Sequence, residues 1–333
     1  MLNSAPNVSY AAGFHAPDSY ILISAEGITL ITDFRYAADF KKQADPCVKI
    51  REYKGSVFKA ICRGIKDGSI KNLGFESRHL TFAECQVLNE LAAKTTKFIP
   101  LKETLEPLRE IKEKGEVENI KKAIEITLKS FSMIEKMLKP GLRELQVAAE
   151  IERFIRLEGA TASAFDIIVA SGPNSSYPHA GISQRIMRNG EPVVIDMGVE
   201  YNGYKSDLTR TFFLGKINPT VERVLNIVRQ AQQKAIHAIR PGRVLKDIDG
   251  RARNYIIGKG FGKFFGHALG HGIGLEVHES PSINRKNHRL IKKGMIFTIE
   301  PGIYVAGEFG IRIEDIVLVT DSAAEVLSGN RSH

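Results

Sequence analysis

The segment K-P-G-L-R-E-L-Q-V-A-A-E-I-E-R-F-I-R-L-E-G beginning at Lys139 aligns without a gap onto R-P-G-R-V-L-K-D-I-D-G-R-A-R-N-Y-I-I-G-K-G beginning at Arg240. Pro140-Gly141 falls on Pro241-Gly242, and Gly159 on Gly260. Further along, N-G-E-P-V-V-I-D-M-G from Asn189 matches K-G-M-I-F-T-I-E-P-G from Lys293, which puts Asp196 on Glu300; the next acidic strand puts Asp207 near Glu314. Helices bracketed by similar turn residues can align by chance, but that does not make the acids superpose as well. The repeat predicts two halves that fold alike and pack about a pseudo-two-fold axis, each giving two carboxylates to a shared centre, the symmetric arrangement that suits a pair of metal ions.

Strand geometry sharpens this expectation, because residues two apart share a face. Val194 and Asp196 share one face, and Ile311, Ile313 and Asp315 oppose Arg312 and Glu314. A carboxylate on an apolar strand is expensive to bury without a partner. A divalent cation removes that cost. The run H-A-L-G-H-G-I-G-L-E-V-H from His267 to His278 supplies imidazoles between the two pairs of acids. Oxygen-rich ligation with one imidazole suits manganese, cobalt, iron or zinc. Taken singly, Asp196 or Asp207 reads as a turn or strand-end carboxylate, His267 as a packed side chain, and Arg312 as an ion-pair partner of Glu314.

The order Asp196, Asp207, His271, Glu300, Glu314, together with G-H-G-I-G-L-E-V-H-E-S-P from Gly270, resembles the pita-bread metallopeptidases, in particular the proline-specific branch of aminopeptidase P and prolidase. The resemblance is strong over residues 115 to 325 and weaker before them. It implies an α/β (α+β) fold, with a small N-terminal α/β domain over residues 1–110 and a pita-bread catalytic domain over 111–333. Those five residues would hold two divalent metal ions, with manganese expected, and the cations would make a nucleophile of water at neutral pH. Glu300 would also take and return its proton. His179, in Y-P-H-A, and His278 resemble the family's non-ligand histidines that hold the substrate carbonyl and stabilise the oxyanion. His267 and Arg312 resemble substrate-pocket residues. The hydroxyl of Thr209 is expected to orient Asp207, and the glycines at 270, 272 and 274 to let the backbone approach the metals.

The branch implies cleavage between an N-terminal residue and a following proline, and a homodimer in which the segment Asp33-Phe34-Arg35-Tyr36 caps a neighbour's cleft. Methionine aminopeptidases share the metal site, and the extra N-terminal domain favours the proline branch. A strict dipeptidase needs a fixed cation for the substrate carboxylate. Arg285 is the first cation after H-E-S-P, and Arg35 could come from a partner subunit, so the reading leans to aminopeptidase, with Xaa-Pro dipeptidase as the alternative. A third reading is a non-catalytic pita-bread binding module with a basic surface.

Composition supports a cytoplasmic enzyme. The chain of 333 residues is long enough for two domains. Asp18 and Glu26 interrupt the early apolar residues, so no signal peptide is read, and no run reaches the ~20 apolar residues of a membrane span. Cys47, Cys62 and Cys85 read as free thiols. The net charge of +9 and the cluster Arg285, Lys286, Arg289, Lys292, Lys293 raise a nucleic-acid partner. Without interleaved aromatics they read as a solvated surface, and no nucleic-acid or membrane partner is expected. His15, His79, His237, His288 and His333 have no constellation around them. Toward the N-terminus a hairpin turning at Glu26-Gly27, strands near Val48 and Leu73, and helices near 56–64 and 81–92 indicate a small α/β domain. E-K-G-E-V-E-N-I-K-K opens a long helix to about Leu138, with the boundary between 100 and 115.

Overall fold

The computed structural model describes residues 1–329, so His333 lies outside the described residues. It divides into two compact units, one over Met1–Arg109 and one from Glu110 onward.

The first unit runs α1 (Ala5–Ala12), β1 (Tyr20–Ser24), β2 (Gly27–Thr32), α2 (Phe34–Gln43), β3 (Val48–Glu52), α3 (Val57–Asp67), β4 (Asn72–Glu76), α4 (Phe82–Leu91), β5 (Lys97–Leu101) and the short α5 (Glu106–Arg109). The hairpin turns one residue earlier than the sequence suggests. Ser24 pairs with Gly27, leaving Ala25-Glu26 as the two-residue turn, and Gly27 opens β2 at a φ of 122° that a side chain would resist. Strand β5 was not legible because Pro100 sits inside it. As a member of a two-stranded sheet with β4, it tolerates the missing N–H. Asp33 caps α2 and also takes the Arg35 guanidinium at 2.8 Å, so the D-F-R-Y charges close on each other. His79 is not isolated as expected, since it lies near Glu76 and Glu106. The Glu76 oxygens are nevertheless already engaged by Asn3, Ser4 and Asn7, which ties the N-terminus to β4.

The second unit is the repeat made visible. Its first half comprises α6 (Lys114–Met137), α7 (Glu144–Leu157), β6 (Ala162–Ser163), β7 (Ile168–Ser171), β8 (Pro192–Met197), β9 (Val199–Tyr201), β10 (Tyr204–Lys205) and β11 (Leu208–Phe213). Its second half comprises α8 (Pro219–Ala238), α9 (Leu245–Gly258), β12 (Gly270–Gly272), β13 (Glu279–Ile283), β14 (Ile296–Ile299), β15 (Gly302–Val305), β16 (Phe309–Arg312), β17 (Asp315–Val319) and β18 (Ala324–Val326). The sheet order β11-β8-β7 in one half recurs as β17-β14-β12 in the other.

The helix-to-helix turns match bond for bond. Gly141 N–H donates to the Met187 carbonyl at 3.0 Å and Gly242 N–H to the Ile291 carbonyl at 2.9 Å, while the returning bonds join Met187 to Leu142 and Ile291 to Arg243. Both glycines have positive φ, 93° and 83°, which explains why the turn keeps glycine in each copy. Each helix pair packs on its own sheet, and Ile273, Ile296 and Ile316 of the second half join the first cluster. Ile120, Ile124, Ile151 and Ile155 pack on Val193, Ile195 and Leu208 in one half, and Val224, Val228, Ile248 and Ile256 pack on Phe297, Ile299 and Val317 in the other. Fully burying such a side chain contributes ~1.5–3 kcal/mol, so each helix pair is held to its own sheet. The acids are carried at the strand ends between the two halves.

Candidate metal centre and cleft

The five residues expected as ligands converge. Asp196 lies on β8 opposite Thr209 of β11, Asp207 immediately precedes β11, His271 is the middle residue of β12, and Glu300 follows β14. Glu314 departs from expectation, since residues 311–315 do not form one strand. Ile313 and Glu314 bridge β16 and β17, which belong to different sheets, and Glu314 is fixed there by its N–H bond to the Thr209 carbonyl at 3.1 Å. Three overlapping groups result, Asp196-Asp207-Glu314, His271-Glu300-Glu314 and Asp207-His271-His278, in each of which the potential ligand atoms lie within 4.8 Å of one another.

The electrostatics fit a cation. Burial, then repulsion from neighbouring carboxylates, pushes the Asp207, Glu300 and Glu314 carboxyls well above their ordinary range. Asp196 Oδ1 and Glu314 Oε1 are buried with no hydrogen-bond partner, and such atoms are costly unless something positive faces them. His271 Nδ1 sits 3.1 Å from the Gly272 carbonyl, which assigns the proton to Nδ1. Nε2 is then the atom that faces Asp207 Oδ2 and Glu300 Oε1, each at 3.5 Å, which leaves it free to serve as the imidazole ligand. By donor type, the residues fit a hard or borderline divalent metal.

Two expected supporting contacts are redistributed. The Thr209 hydroxyl donates to Glu314 Oε2 at 2.8 Å and accepts from Arg312 Nε at 3.0 Å, so it orients Glu314 instead of Asp207. Arg312 pairs with Asp196 Oδ2 at 2.5 Å, not with Glu314. It also donates to the Pro178 carbonyl and to Tyr304 Oη. Tyr304 was missed by sequence reasoning; its hydroxyl lies 3.1 Å from His267 Nε2, linking Arg312 to His267. Burial lowers His267 to about 4, so it is neutral near pH 7, with Nδ1 directed to the Ala268 carbonyl.

The glycines also serve a different purpose from the one expected. A Cβ on Gly270 would meet the Thr298 carbonyl oxygen at 1.9 Å, and one on Gly272 the Ser280 carbonyl oxygen at 2.2 Å, whereas one on Gly274 would meet the Glu279 carboxylate. Gly270 and Gly272 thus let β12 lie tight against its neighbours.

The centre lines a cleft of ≈ 900 Å³. His179 and His278 border it, with the His278 ring 4.2 Å from that of His271. Burial, then the neighbouring His271 and His179, lowers His278. Phe165, Ile167, Ile182 and Val277 form an apolar wall. His267 and Arg312 border the cleft too, while Arg285 does not.

An acid-rich, single-imidazole centre in a cleft also lined by His179 and His278 is the chemistry of a metallohydrolase. "Metallopeptidase family M24" matches residues 118–321 and "Creatinase/Prolidase N-terminal domain" residues 1–111, and the chain belongs to this metallopeptidase family, a hydrolase with the pita-bread fold. It is 36% identical to the "Xaa-Pro dipeptidase" of Pyrococcus furiosus over 97% of this chain and 90% of that protein. Among solved structures, the "Xaa-Pro dipeptidase from Bacillus anthracis" superposes with a TM-score of 0.96 at 37% identity, covering 100% of this chain and 93% of that one. The "X-Pro aminopeptidase from Thermotoga maritima" superposes with a TM-score of 0.93 at 37% identity, covering 99% and 93%. No helix among the described residues is long and apolar enough to cross a membrane.

Proposed function

We propose that this protein is a cytoplasmic, manganese-dependent peptidase that hydrolyses the bond preceding proline in Xaa-Pro dipeptides. Convergence of Asp196, Asp207, His271, Glu300 and Glu314 on one cleft carries the catalytic reading. The relatives named Xaa-Pro dipeptidase, alike over nearly the whole chain, support the substrate class and shift the preference away from the aminopeptidase expected from sequence.

Those five side chains would hold two divalent cations, since Glu314 belongs to two of the three overlapping groups. Bound there, the cations would supply Lewis acidity and lower the pKa of water. Glu300, whose carboxyl is raised by burial, suits a group that accepts a proton and returns it to the leaving nitrogen. His278 and His179, which line the cleft, would donate N–H bonds to the carbonyl oxygen as it gains charge. Arg312 holds Asp196 and, through Tyr304, His267; in this reading both act by positioning as well as by lining the substrate pocket. The apolar wall suits a pyrrolidine ring.

Aminopeptidase action on longer peptides is the second reading. It is favoured by one observation: Arg312, the only Arg or Lys bordering the cleft among the described residues, is already committed to Asp196. Arg35 is likewise taken by Asp33. The deciding measurement is kcat/KM for an Xaa-Pro dipeptide against its Xaa-Pro-Yaa extension with manganese-reconstituted enzyme. The dipeptidase reading expects a preference of about a hundredfold, equivalent to ~2.7 kcal/mol in transition-state binding, for the dipeptide. A preference for the tripeptide establishes the second reading, and cleavage of Met-Yaa peptides alone removes both.

A further inference from the structure

Away from the metal centre, α8, α9 and the turn between them border an open hollow of ≈ 1080 Å³. Lys234, Arg240, Arg243, Lys246, Arg251 and Arg285 line it, and among the described residues Asp247 is the only acid that does. Among the described residues none of these six cations is in an ion pair, although elsewhere in the same unit Lys129 pairs with Glu125 and Glu158, Arg153 with Glu150, and Lys293 with Asp321. Six like charges around one concavity repel one another, and the field they focus favours a multiply charged anion.

The internal repeat provides an independent control. With the helix ends and Gly141/Gly242 superposed, Lys234, Arg243, Lys246 and Arg251 correspond to Met133, Leu142, Leu145 and Glu150, and of the aligned hairpin cations only Arg240 keeps a charge, as Lys139. The sister hairpin makes the same turn without these charges, so folding does not require them. The sequence cluster at 285–293 is not the source of the feature, since only Arg285 reaches the hollow while Arg289 pairs with Glu110 and Lys293 with Asp321.

We propose that this hollow is a binding site for a compact oligophosphate. Guanidinium and ammonium groups converging from the two helices, the turn between them and the loop after β13 match adjacent phosphoryl groups, and the volume is of the order of small-ligand sites, ~300–1,000 Å³. The first amides of α9 are engaged, Leu245 N–H by the Arg289 carbonyl at 3.0 Å and Lys246 N–H by the Asn287 carbonyl at 2.9 Å, so the side chains hold the ligand. Tyr255, the aromatic residue at the rim, already lies beside Lys234 and Lys259, with ring centre distances of 5.1 Å and 5.4 Å, so recognition rests on the phosphates instead of on a stacked base. The proposal is independent of the peptidase's substrate.

The test is calorimetric titration of the metal-loaded enzyme with inorganic tripolyphosphate at about physiological ionic strength, where loose counter-ion attraction is screened. Saturable one-to-one binding is expected. Arg251→Glu, at an exposed position, should weaken it about tenfold, and a triple variant written with the sister repeat's residues, Arg243→Leu, Lys246→Leu and Arg251→Glu, should weaken it a hundredfold or more. Chelation at the metal centre is common to all three proteins and drops out of the comparison. A nucleoside triphosphate that binds as tightly as tripolyphosphate identifies the phosphate chain as sufficient, and one that binds more tightly identifies a nucleotide as the source. Equal affinity in wild type and Arg251→Glu overturns the proposal. So does orthophosphate binding as tightly as tripolyphosphate, or a single-stranded oligonucleotide binding more tightly than either.

Discussion

At the residue scale the governing fact is that Asp207, Glu300 and Glu314 are packed together with burial and mutual repulsion both raising their carboxyls. Such a group opposes folding until a cation neutralises it. Asp207→Asn should therefore raise the thermal midpoint in chelator and lower it, relative to wild type, after manganese reconstitution, with each kcal/mol worth about 2–4 °C for a domain of this size. Activity should be abolished in the variant in both conditions. Differential scanning calorimetry with elemental analysis checks this, and an unchanged order of midpoints refutes it. His278 makes a different prediction because it borders the cleft at 4.2 Å from the His271 ring. His278→Ala and His179→Ala should each lower kcat by about 10²–10³-fold with metal content and midpoint retained. Loss of stability at wild-type kcat per folded molecule would show a structural role instead.

At the scale of elements, ligand placement depends on how closely the short strands approach. Gly270→Ala puts a methyl 1.9 Å from the Thr298 carbonyl oxygen, on the partner strand that leads to Glu300. It should cost several kcal/mol of stability, on the scale of ~1–3 for overpacking and more where backbone must move, and weaken metal retention; chemical denaturation and metal titration measure the two. Much of the architecture was legible, since the helix pairs, the P-G turns and the acids at strand ends each carry a local signature. The break between β16 and β17 was not, because Ile311 to Asp315 alternates as a strand does and only the crossing of sheets interrupts it. Tyr304 and the redirected Arg312 were also hidden, since which carboxylate an arginine meets depends on a partner more than a hundred residues away. Local pattern likewise predicted Thr209 as a neighbour of Asp207, whereas the hydroxyl bonds Glu314 across the repeat.

At the scale of the whole molecule, the resemblance implies a homodimer, and the exposed Phe34 beside the closed Asp33–Arg35 pair is suited to such a contact. Sedimentation velocity across micromolar concentrations should show a dimer that Phe34→Ser weakens; a fully active monomer refutes it. The repeat has a further consequence for how the catalytic unit ages and fails. Asp196 and Asp207 belong to one half and His271, Glu300 and Glu314 to the other, and the core under α6 and α7 also takes in Ile273, Ile296 and Ile316 of the second half. A small slip along the seam would loosen the contacts of Ile273, Ile296 and Ile316 with the first core and pull the donors out of reach of one another. If the five donors hold metal as proposed, the centre is a strain gauge spanning that seam: a molecule with a slipped seam would release its ions while its helix pairs still gave a native signal.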